Sequence, residues 1–168
     1  KRGMTSDKTR ELVDKIRNTI PGVAIRTTFI TGYPGETEAD FEELCQFVAE
    51  SSFDRLGVFT YSHEEGTPAF QFTDILPAKI KMKRQARLMQ IQEQISLKRN
   101  QEFVGKEIKV IVDREEEEFW ACRSEADSPE VDQEVLIRKT GVPIYIGNFY
   151  TVRITEASHF DLMAEIPG

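Results

Sequence analysis

The loop that contains Gly32 and Gly35 is the part of this chain best suited by residue type to bind a ligand. It follows a β-forming segment, 23–31, and precedes Thr37, which can cap a helix. In α/β proteins ligands bind beyond the carboxyl ends of strands, where glycines allow close backbone approach and a helix N-terminus favours an anion. The loop is not a P-loop, since no Gly-Lys-Ser/Thr follows, and it lacks Gly-x-Gly-x-x-Gly spacing. An ordinary tight β–α turn is the alternative interpretation.

A second polar group follows the next predicted strand, where His63 precedes Glu64 and Glu65. A histidine beside carboxylates can act as a base or bind a metal if further ligands lie nearby. The other histidine, His159, is far away in the sequence. We therefore predict no metal site and no catalytic set from these residues alone.

The two cysteines, Cys45 and Cys122, are too far apart in the sequence to suggest a disulfide framework, which favours a reducing, cytoplasmic setting. Cys45 lies on the apolar face of a predicted helix and Cys122 in a predicted strand, so we expect both to be inert packing residues. We expect no membrane partner, because no apolar run approaches the roughly 18 residues that a span needs. No signal peptide is visible either.

The first third of the chain predicts the order helix, strand, helix, strand over residues 5–61. A helix to about Thr19 ends before Pro21-Gly22, and an amphipathic helix follows Thr37, with Asp40 placed for a capping box. Helices that alternate with buried strands indicate parallel α/β architecture. A loop with aromatic residues at 70 and 72 follows the second strand.

A long helix is predicted from Pro77 to about Phe103, with an apolar stripe at Ile80, Leu88, Ile91 and Ile95. Its other face carries six Lys, Arg and Gln residues between positions 79 and 87. We expect this basic face to be solvated. A docking surface for RNA is the alternative.

The charge is divided unevenly along the chain. Residues 1–104 carry 15 Lys and Arg and 15 Asp and Glu, whereas residues 105–168 carry 7 and 14, so the net charge of −7 belongs to the second segment. That segment also changes to short alternating strands separated by Gly and Asp turns, which indicates a five-stranded antiparallel, OB-like barrel. We predict an α/β part, 1–104, followed by an all-β part, 105–168. The acids either attract a basic partner or only confer solubility.

Two parallel strands with their helices cannot complete a barrel or a full sheet. The α/β part is therefore expected to be the end of a larger structure whose earlier strands are absent from this sequence. The strand edges that those strands would cover favour self-association.

Three ordered motifs resemble the radical-SAM methylthiotransferases. They are Arg-Thr-Thr-Phe-Ile-Thr-Gly-Tyr-Pro-Gly-Glu-Thr-Glu-Ala-Asp-Phe (26–41), Phe-Asp-Arg-Leu-Gly-Val-Phe-Thr-Tyr-Ser (53–62) and Glu-Gly-Thr-Pro-Ala (65–69). The final segment is similar to the TRAM domain of that family. Within it, Arg-Ser-Glu-Ala-Asp-Ser-Pro-Glu-Val-Asp (123–132) resembles the branch that modifies a ribosomal protein, the RimO type. An acidic barrel agrees with this choice, because it suits a basic protein better than a tRNA backbone.

The resemblance implies the C-terminal portion of a radical-SAM barrel, partly TIM-like, followed by a TRAM domain. It also implies S-adenosylmethionine and two [4Fe–4S] clusters in the parent enzyme. The activity implied is methylthiolation of the β-carbon of an aspartate in small-subunit ribosomal protein S-twelve. A tRNA-modifying member of the family, with RNA as a secondary partner, and a non-catalytic acidic binding module are the alternatives.

The same resemblance assigns candidate residues. Radical-SAM folds line the adenine and ribose with a strand and loop that correspond here to Thr28, Ile30 and Gly32. The family pattern Gly-x-Ile-x-Gly-x-x-Glu is altered, since Thr28 replaces the first glycine and Glu36 falls one position late. Arg26, on the same strand, either faces a carboxylate or points outside the barrel. In the TRAM part the resemblance suggests three acids for contact with a basic protein substrate, with a solvated turn as the alternative role: Asp127, Glu130 and Asp132.

The largest departure from the family is the absence of its Cys-x-x-x-Cys-x-x-Cys motif and of the cysteines of its N-terminal cluster domain. Iron–sulfur clusters need several thiolates, which two distant cysteines cannot supply. We therefore expect this chain to bind no cluster, to contain no catalytic residue of its own and to be inactive alone.

Overall fold

The chain forms two compact units, 1–95 and 96–168, in a computed structural model that describes residues 5–73, 75–129 and 131–167. The division falls inside a long helix. Within the described residues, every helix is too short or too polar to cross a lipid bilayer.

The first unit begins with the predicted order of helix, strand, helix and strand. These elements are α1 (Ser6–Thr19), β1 (Arg26–Thr31), α2 (Glu38–Ser51) and β2 (Arg55–Thr60). The two strands pair in parallel from Arg26 opposite Arg55 to Thr31 opposite Thr60, as the crossover through a helix requires. The α/β character predicted for residues 5–61 is confirmed.

The start of α2 is fixed by the predicted capping box. The Thr37 hydroxyl accepts a hydrogen bond from the Asp40 N–H at 3.2 Å, and the Asp40 carboxylate accepts from the Thr37 N–H at 2.9 Å. These bonds satisfy amide groups that the first turn of a helix leaves unpaired. The helix therefore begins directly after the glycine loop.

One face of the two-stranded sheet packs on the helices. Phe29 and Val58 point to this side, where Phe29 meets Phe47 and Phe53 in edge-on and tilted ring contacts. The buried residues of this core are Val13, Phe41, Cys45, Phe47, Val48, Phe53, Val58 and Leu88. The helices thus cover only one side of the sheet.

The long helix α3 (Ala78–Gln101) follows a short 3-10 turn (Pro68–Gln71). Leu88 is fully buried, and Ile91 and Ile95 pack beside it, as the apolar stripe predicted, whereas Ile80 is 39% exposed. The expectation that the basic face is simply solvated is wrong for Lys81, Arg84 and Gln85. Lys81 and Arg84 donate hydrogen bonds to carbonyls in the loops after β2 and β1, and Gln85 donates to a carbonyl within β2.

The second unit contains a closed five-stranded barrel. Its strands are β3 (Glu107–Glu115), β4 (Phe119–Ser124), β5 (Val135–Arg138), β6 (Phe149–Ala157) and β7 (Leu162–Glu165), in the order β3-β4-β5-β7-β6 around the barrel. The predicted five strands and the OB-like barrel are confirmed. Ten buried side chains fill the interior: Val110, Val112, Cys122, Val135, Ile137, Ile144, Val152, Ile154, Leu162 and Ala164.

The prediction of a wholly antiparallel barrel is wrong at one pair. β5 and β7 run parallel, with Val135 opposite Leu162, whereas the other four pairs are antiparallel. The reason is geometric. Strand directions can alternate all the way around a closed ring only if the number of strands is even, so five strands require at least one parallel pair.

Candidate functional site

The uncovered face of the β1–β2 sheet holds three of the residues proposed from the sequence. Because side chains alternate along a strand, Arg26, Thr28 and Ile30 share one face, and all three are exposed. Their register partners on β2 are Arg55, Gly57 and Phe59. Ile30 is 57% exposed and Phe59 63% exposed, which is unusual for neighbouring apolar side chains on a sheet. We call this surface the open face.

Gly32 directly follows β1 and has a conformation that requires glycine. Its φ is +76°, a left-handed value that residues with a Cβ adopt at a cost. A Cβ built at this position would also lie 2.2 Å from Cγ of Lys81. The Lys81 side chain crosses Gly32 and donates from Nζ to the Tyr61 carbonyl at 2.6 Å, just beyond the end of β2. Gly32 therefore allows close contact between the loop and α3.

The next four residues form a tight turn. The N–H of Glu36 donates to the Tyr33 carbonyl at 2.9 Å, and Gly35 has a φ of +84°. Proline at the second position and a left-handed glycine at the third are typical of a type II turn. The turn brings the Glu36 side chain back toward the start of the loop.

Glu36 points into the protein, away from solvent. Its two carboxylate oxygens both lie 3.0 Å from the Gly32 N–H, and Oε1 accepts from Nη1 of Arg84 at 2.5 Å. The Glu36 side chain is 12% exposed and that of Arg84 6% exposed. The structure thus brings Glu36 to the same loop as Gly32, but against the backbone and α3. Nothing in the sequence pattern distinguished Arg84 from its solvated neighbours.

Aromatic side chains gather at the carboxyl ends of β1 and β2. Tyr33 makes edge-on contacts with Tyr61 at 5.4 Å and with Phe72 at 6.1 Å between ring centroids. His63 stacks on Phe70 at 4.6 Å, and its Nδ1 lies 3.3 Å from the Tyr61 hydroxyl oxygen. The sequence showed a short aromatic cluster in this loop, but not that it would meet Tyr33 from the glycine loop.

His63 is therefore one member of an aromatic group. Within residues 5–73, 75–129 and 131–167, no three His, Cys, Asp or Glu side chains gather closely enough to hold a metal ion.

The two cysteines are both buried, Cys45 among the helices of the first unit and Cys122 in the barrel core. Burial raises the pKa of both thiols, to about 12 for Cys122, so both remain protonated at neutral pH.

Two of the three acids proposed for substrate docking, Asp127 and Asp132, lie in the segment between β4 and β5. Asp127 is only 8% exposed and accepts from the Ser124 hydroxyl at 2.5 Å, while Asp132 accepts from the Ser128 N–H at 3.0 Å. Glu130 lies outside the described residues. Both carboxylates are therefore bonded within the segment that carries them, Asp127 is buried and not part of a solvated turn, and docking by Asp127 and Asp132 stays a prediction.

A different acidic feature is the hairpin between β3 and β4. Glu117 and Glu118 lie at its tip, exposed, and neither has an ion-pair partner among the residues that the structure describes. Their neighbours Glu115 and Glu116 are instead paired, with Lys139 at 2.8 Å and Arg114 at 2.7 Å. The hairpin tip thus carries negative charge that the barrel does not neutralise.

Comparison with known proteins identifies the barrel. The TRAM domain family matches residues 104–166. The whole chain is also similar to curated proteins named "Ribosomal protein uS12 methylthiotransferase RimO". Identity is 49% over 99% of the chain for the protein of Cytophaga hutchinsonii, 48% over 98% for that of Christiangramia forsetii and 47% over 99% for that of Parabacteroides distasonis.

A TRAM barrel after an α/β unit, together with this similarity along the chain, places the protein in the methylthiotransferase family. Within the family it is similar to the RimO branch, and the resemblance seen in the motifs is confirmed. The chain spans 37–38% of the length of these three relatives.

Proposed function

We propose that this chain is the C-terminal part of a cytoplasmic radical-SAM enzyme that methylthiolates the β-carbon of an aspartate in ribosomal protein uS12. The names of the relatives support the reaction and the protein substrate. The observation that carries the proposal is the open face. It is an exposed surface of β1 and β2, and the glycine loop lies at its carboxyl edge. Ligands of α/β barrels bind at this edge.

S-adenosylmethionine fits the open face chemically. Ile30 and Phe59 offer exposed apolar surface for a nucleoside, the Thr28 hydroxyl can donate or accept a hydrogen bond, and Arg26 supplies a cation for a carboxylate. When bound, S-adenosylmethionine would be the source of the species that abstracts hydrogen and of the methyl group. The residues of this chain bind and orient it, and the remainder of the barrel excludes water.

Iron–sulfur clusters do not fit the residues of this chain. Cys45 and Cys122 belong to different compact units and are buried with raised pKa values, whereas cluster ligation requires several neighbouring thiolates. The proposal therefore assigns both clusters to the part of the enzyme outside this sequence. Reconstitution of this chain with iron and sulfide is expected to give no absorbance from a [4Fe–4S] cluster. A stable cluster on this chain would contradict the assignment.

The TRAM barrel is proposed to dock the basic ribosomal protein. The segment 105–168 has twice as many acidic as basic residues, 14 against 7, and Glu117 and Glu118 present unneutralised charge at a hairpin tip. Opposite charge steers association and repels a phosphate backbone. The test compares binding of isolated uS12 and of tRNA to this chain at physiological salt. Tighter binding of tRNA would favour the tRNA-modifying alternative.

Charge reversal locates the docking surface. The double variant Glu117→Lys/Glu118→Lys is expected to weaken binding of uS12 and to reduce its salt dependence. Glu156→Lys/Glu165→Lys, which reverses two exposed acids on β6 and β7 and changes the net charge by the same amount, is a control on the same barrel. Equal weakening by both variants would indicate an effect of net charge rather than a hairpin site.

The complete enzyme tests the reaction. With reconstituted clusters, S-adenosylmethionine and uS12, the product should be a single aspartate that carries a methylthio group, identified by peptide mass spectrometry. The gene upstream of this sequence supplies a simpler test. A reading frame that encodes Cys-x-x-x-Cys-x-x-Cys supports the enzyme, whereas its absence would favour the non-catalytic binding module.

A further inference from the structure

The polar face of α3 holds the glycine loop through Arg84, and this contact has a role that the family resemblance does not assign. We infer that Arg84 and Glu36 are positioning residues that fix the backbone of the loop at 32–36 for the ligand of the open face. Glu36 thereby acts on the loop and does not contact the ligand.

The first argument is the completeness of the contact. Nη1 of Arg84 donates to the Glu36 carbonyl at 3.2 Å and to its Oε1 at 2.5 Å, so one guanidinium holds both the backbone and the side chain of the same residue. Nη2 donates to Glu38 at 2.9 Å, in the first turn of α2. The guanidinium also lies 5.1 Å from the centre of the Phe41 ring. Arg84 therefore joins the end of the loop to the start of the next helix.

The second argument is burial. Arg84 is 5% exposed, and a buried cation is costly unless acids and hydrogen bonds compensate it. Burial by itself would lower the pKa of Arg84, but the pKa is raised, because the hydrogen bonds that Arg84 donates to Glu38 and Glu36, together with the charges of these acids, outweigh burial. The charged pair is thus maintained inside the loop and is not a solvated surface pair of small energetic value.

The third argument is the orientation of Glu36. Both of its oxygens lie 3.0 Å from the Gly32 N–H and Oε1 also accepts from Arg84, so the carboxylate closes the loop into a ring. Lys81 presses on Gly32 from the same helix and reaches the carbonyl of Tyr61. Two residues of α3 therefore fix both ends of the loop, and the carboxylate is directed at backbone instead of toward the open face.

The inference rests on the proposed function only for the identity of the ligand, since the fixed loop is a property of this chain. Its first test needs no ligand. Hydrogen exchange of the Gly32 amide is measured by NMR in the whole chain and in Arg84→Met, which keeps an apolar stem over Phe41. Loss of a charged hydrogen bond should accelerate exchange about tenfold or more. Arg84→Lys, which keeps one charged donor, should restore part of the protection.

Arg87→Met is the matched control. Arg87 is one turn further along α3, is also near Phe41 at 5.6 Å, and pairs with Glu42 at the surface without touching the loop. This variant should change Gly32 exchange by less than about twofold. The amide of Val48, in the core of α2, reports general unfolding. Unchanged Gly32 exchange in Arg84→Met, or equal acceleration at Val48 in both Arg84→Met and Arg84→Lys, would overturn the inference.

The second test uses the full-length enzyme without turnover. Equilibrium binding of S-adenosylmethionine is compared for the wild type, Glu36→Gln, Arg84→Met and the surface controls Glu42→Gln and Arg87→Met. We expect weakening of about fivefold or more for the loop pair and almost none for the surface pair. Equal effects of both pairs would contradict positioning. Absence of binding by the wild type would contradict the proposed function instead, and the exchange measurement would then decide the inference alone.

Discussion

The two compact units differ in how completely they bury their apolar surface. In the barrel, every strand has a neighbour on both sides and ten buried side chains fill an enclosed interior. In the α/β unit, two strands form the whole sheet of the described residues, and helices cover only one face of it. The described residues therefore leave an apolar sheet face uncovered in the α/β unit, where another molecule could bind. The closed barrel suits the docking role proposed for it, whereas the open face of the α/β unit is the surface proposed to bind a ligand.

A core substitution in the barrel should have the largest effect on stability. Ile137 is 1% exposed, and Ile137→Ala should lower the unfolding free energy of the barrel by about 2–5 kcal/mol. Ile30→Ala on the open face should change that of its own unit by less than about 1 kcal/mol, since Ile30 is 57% exposed. Denaturant titration followed by fluorescence of Trp120, the only tryptophan, reports the barrel, and far-UV circular dichroism reports the helical unit. Similar losses would abolish the contrast.

Self-association should arise from the α/β unit. The open strand edges and the apolar open face favour pairing between copies, so light scattering should show a mass that rises with concentration. Phe59→Lys should reduce this rise. Phe160→Lys replaces an equally exposed aromatic residue in the barrel unit, at 61% against 63%, and should leave it unchanged. A constant monomer mass at every concentration would refute the prediction.

The capping box gives a smaller effect that is confined to the first unit. Thr37→Ala removes the cap of α2 and should lower the stability reported by circular dichroism by about 1 kcal/mol, without moving the Trp120 transition. Thr37→Ser is the control that keeps the hydroxyl. A shift of both transitions would show that the two units unfold together.

The same box predicts a pH dependence. Hydrogen bonds from the side chain and the backbone N–H of Thr37 lower the pKa of Asp40 below its ordinary value. Asp40 therefore binds a proton less readily in the folded state than in the unfolded state. Its contribution to the free energy of unfolding is complete above the ordinary pKa and is lost as pH falls through the lowered pKa. The difference in unfolding free energy between the wild type and Thr37→Ala, measured by circular dichroism, should become smaller in acid.

The smallest effect concerns Asp161 in the barrel unit, whose pKa is raised by burial while it accepts from the Glu134 N–H at 3.1 Å. A raised pKa in the folded state means that stability falls as pH rises from the ordinary value through the raised one. Asp161→Asn retains an acceptor and removes the charge. This variant should slightly raise the denaturant midpoint of barrel unfolding, followed by Trp120 fluorescence, at neutral pH. It should leave that midpoint unchanged in acid. A lower midpoint at neutral pH would contradict this.

Local order was predictable because it depends on near neighbours. The alternation of β1 puts Arg26, Thr28 and Ile30 on one face, and Thr37 with Asp40 defines the start of α2. The basic face of α3 was not predictable in the same way. Lys81 and Arg84 have the same spacing and charge as solvated residues, and their partners, Tyr61 and Glu36, lie 20 and 48 residues away in the sequence.

The amino-acid sequence alone determined the order of the elements, the location of the acidic charge in the barrel segment and the family, since periodicity, composition and motifs are properties of the chain itself. The tertiary structure was needed to show which sheet face is open, that β5 and β7 run parallel and that Glu36 and Asp127 turn inward. These features depend on contacts between distant segments, because burial and closure are properties of the assembled fold. The direction of Glu36, toward Gly32 and Arg84, is the clearest example.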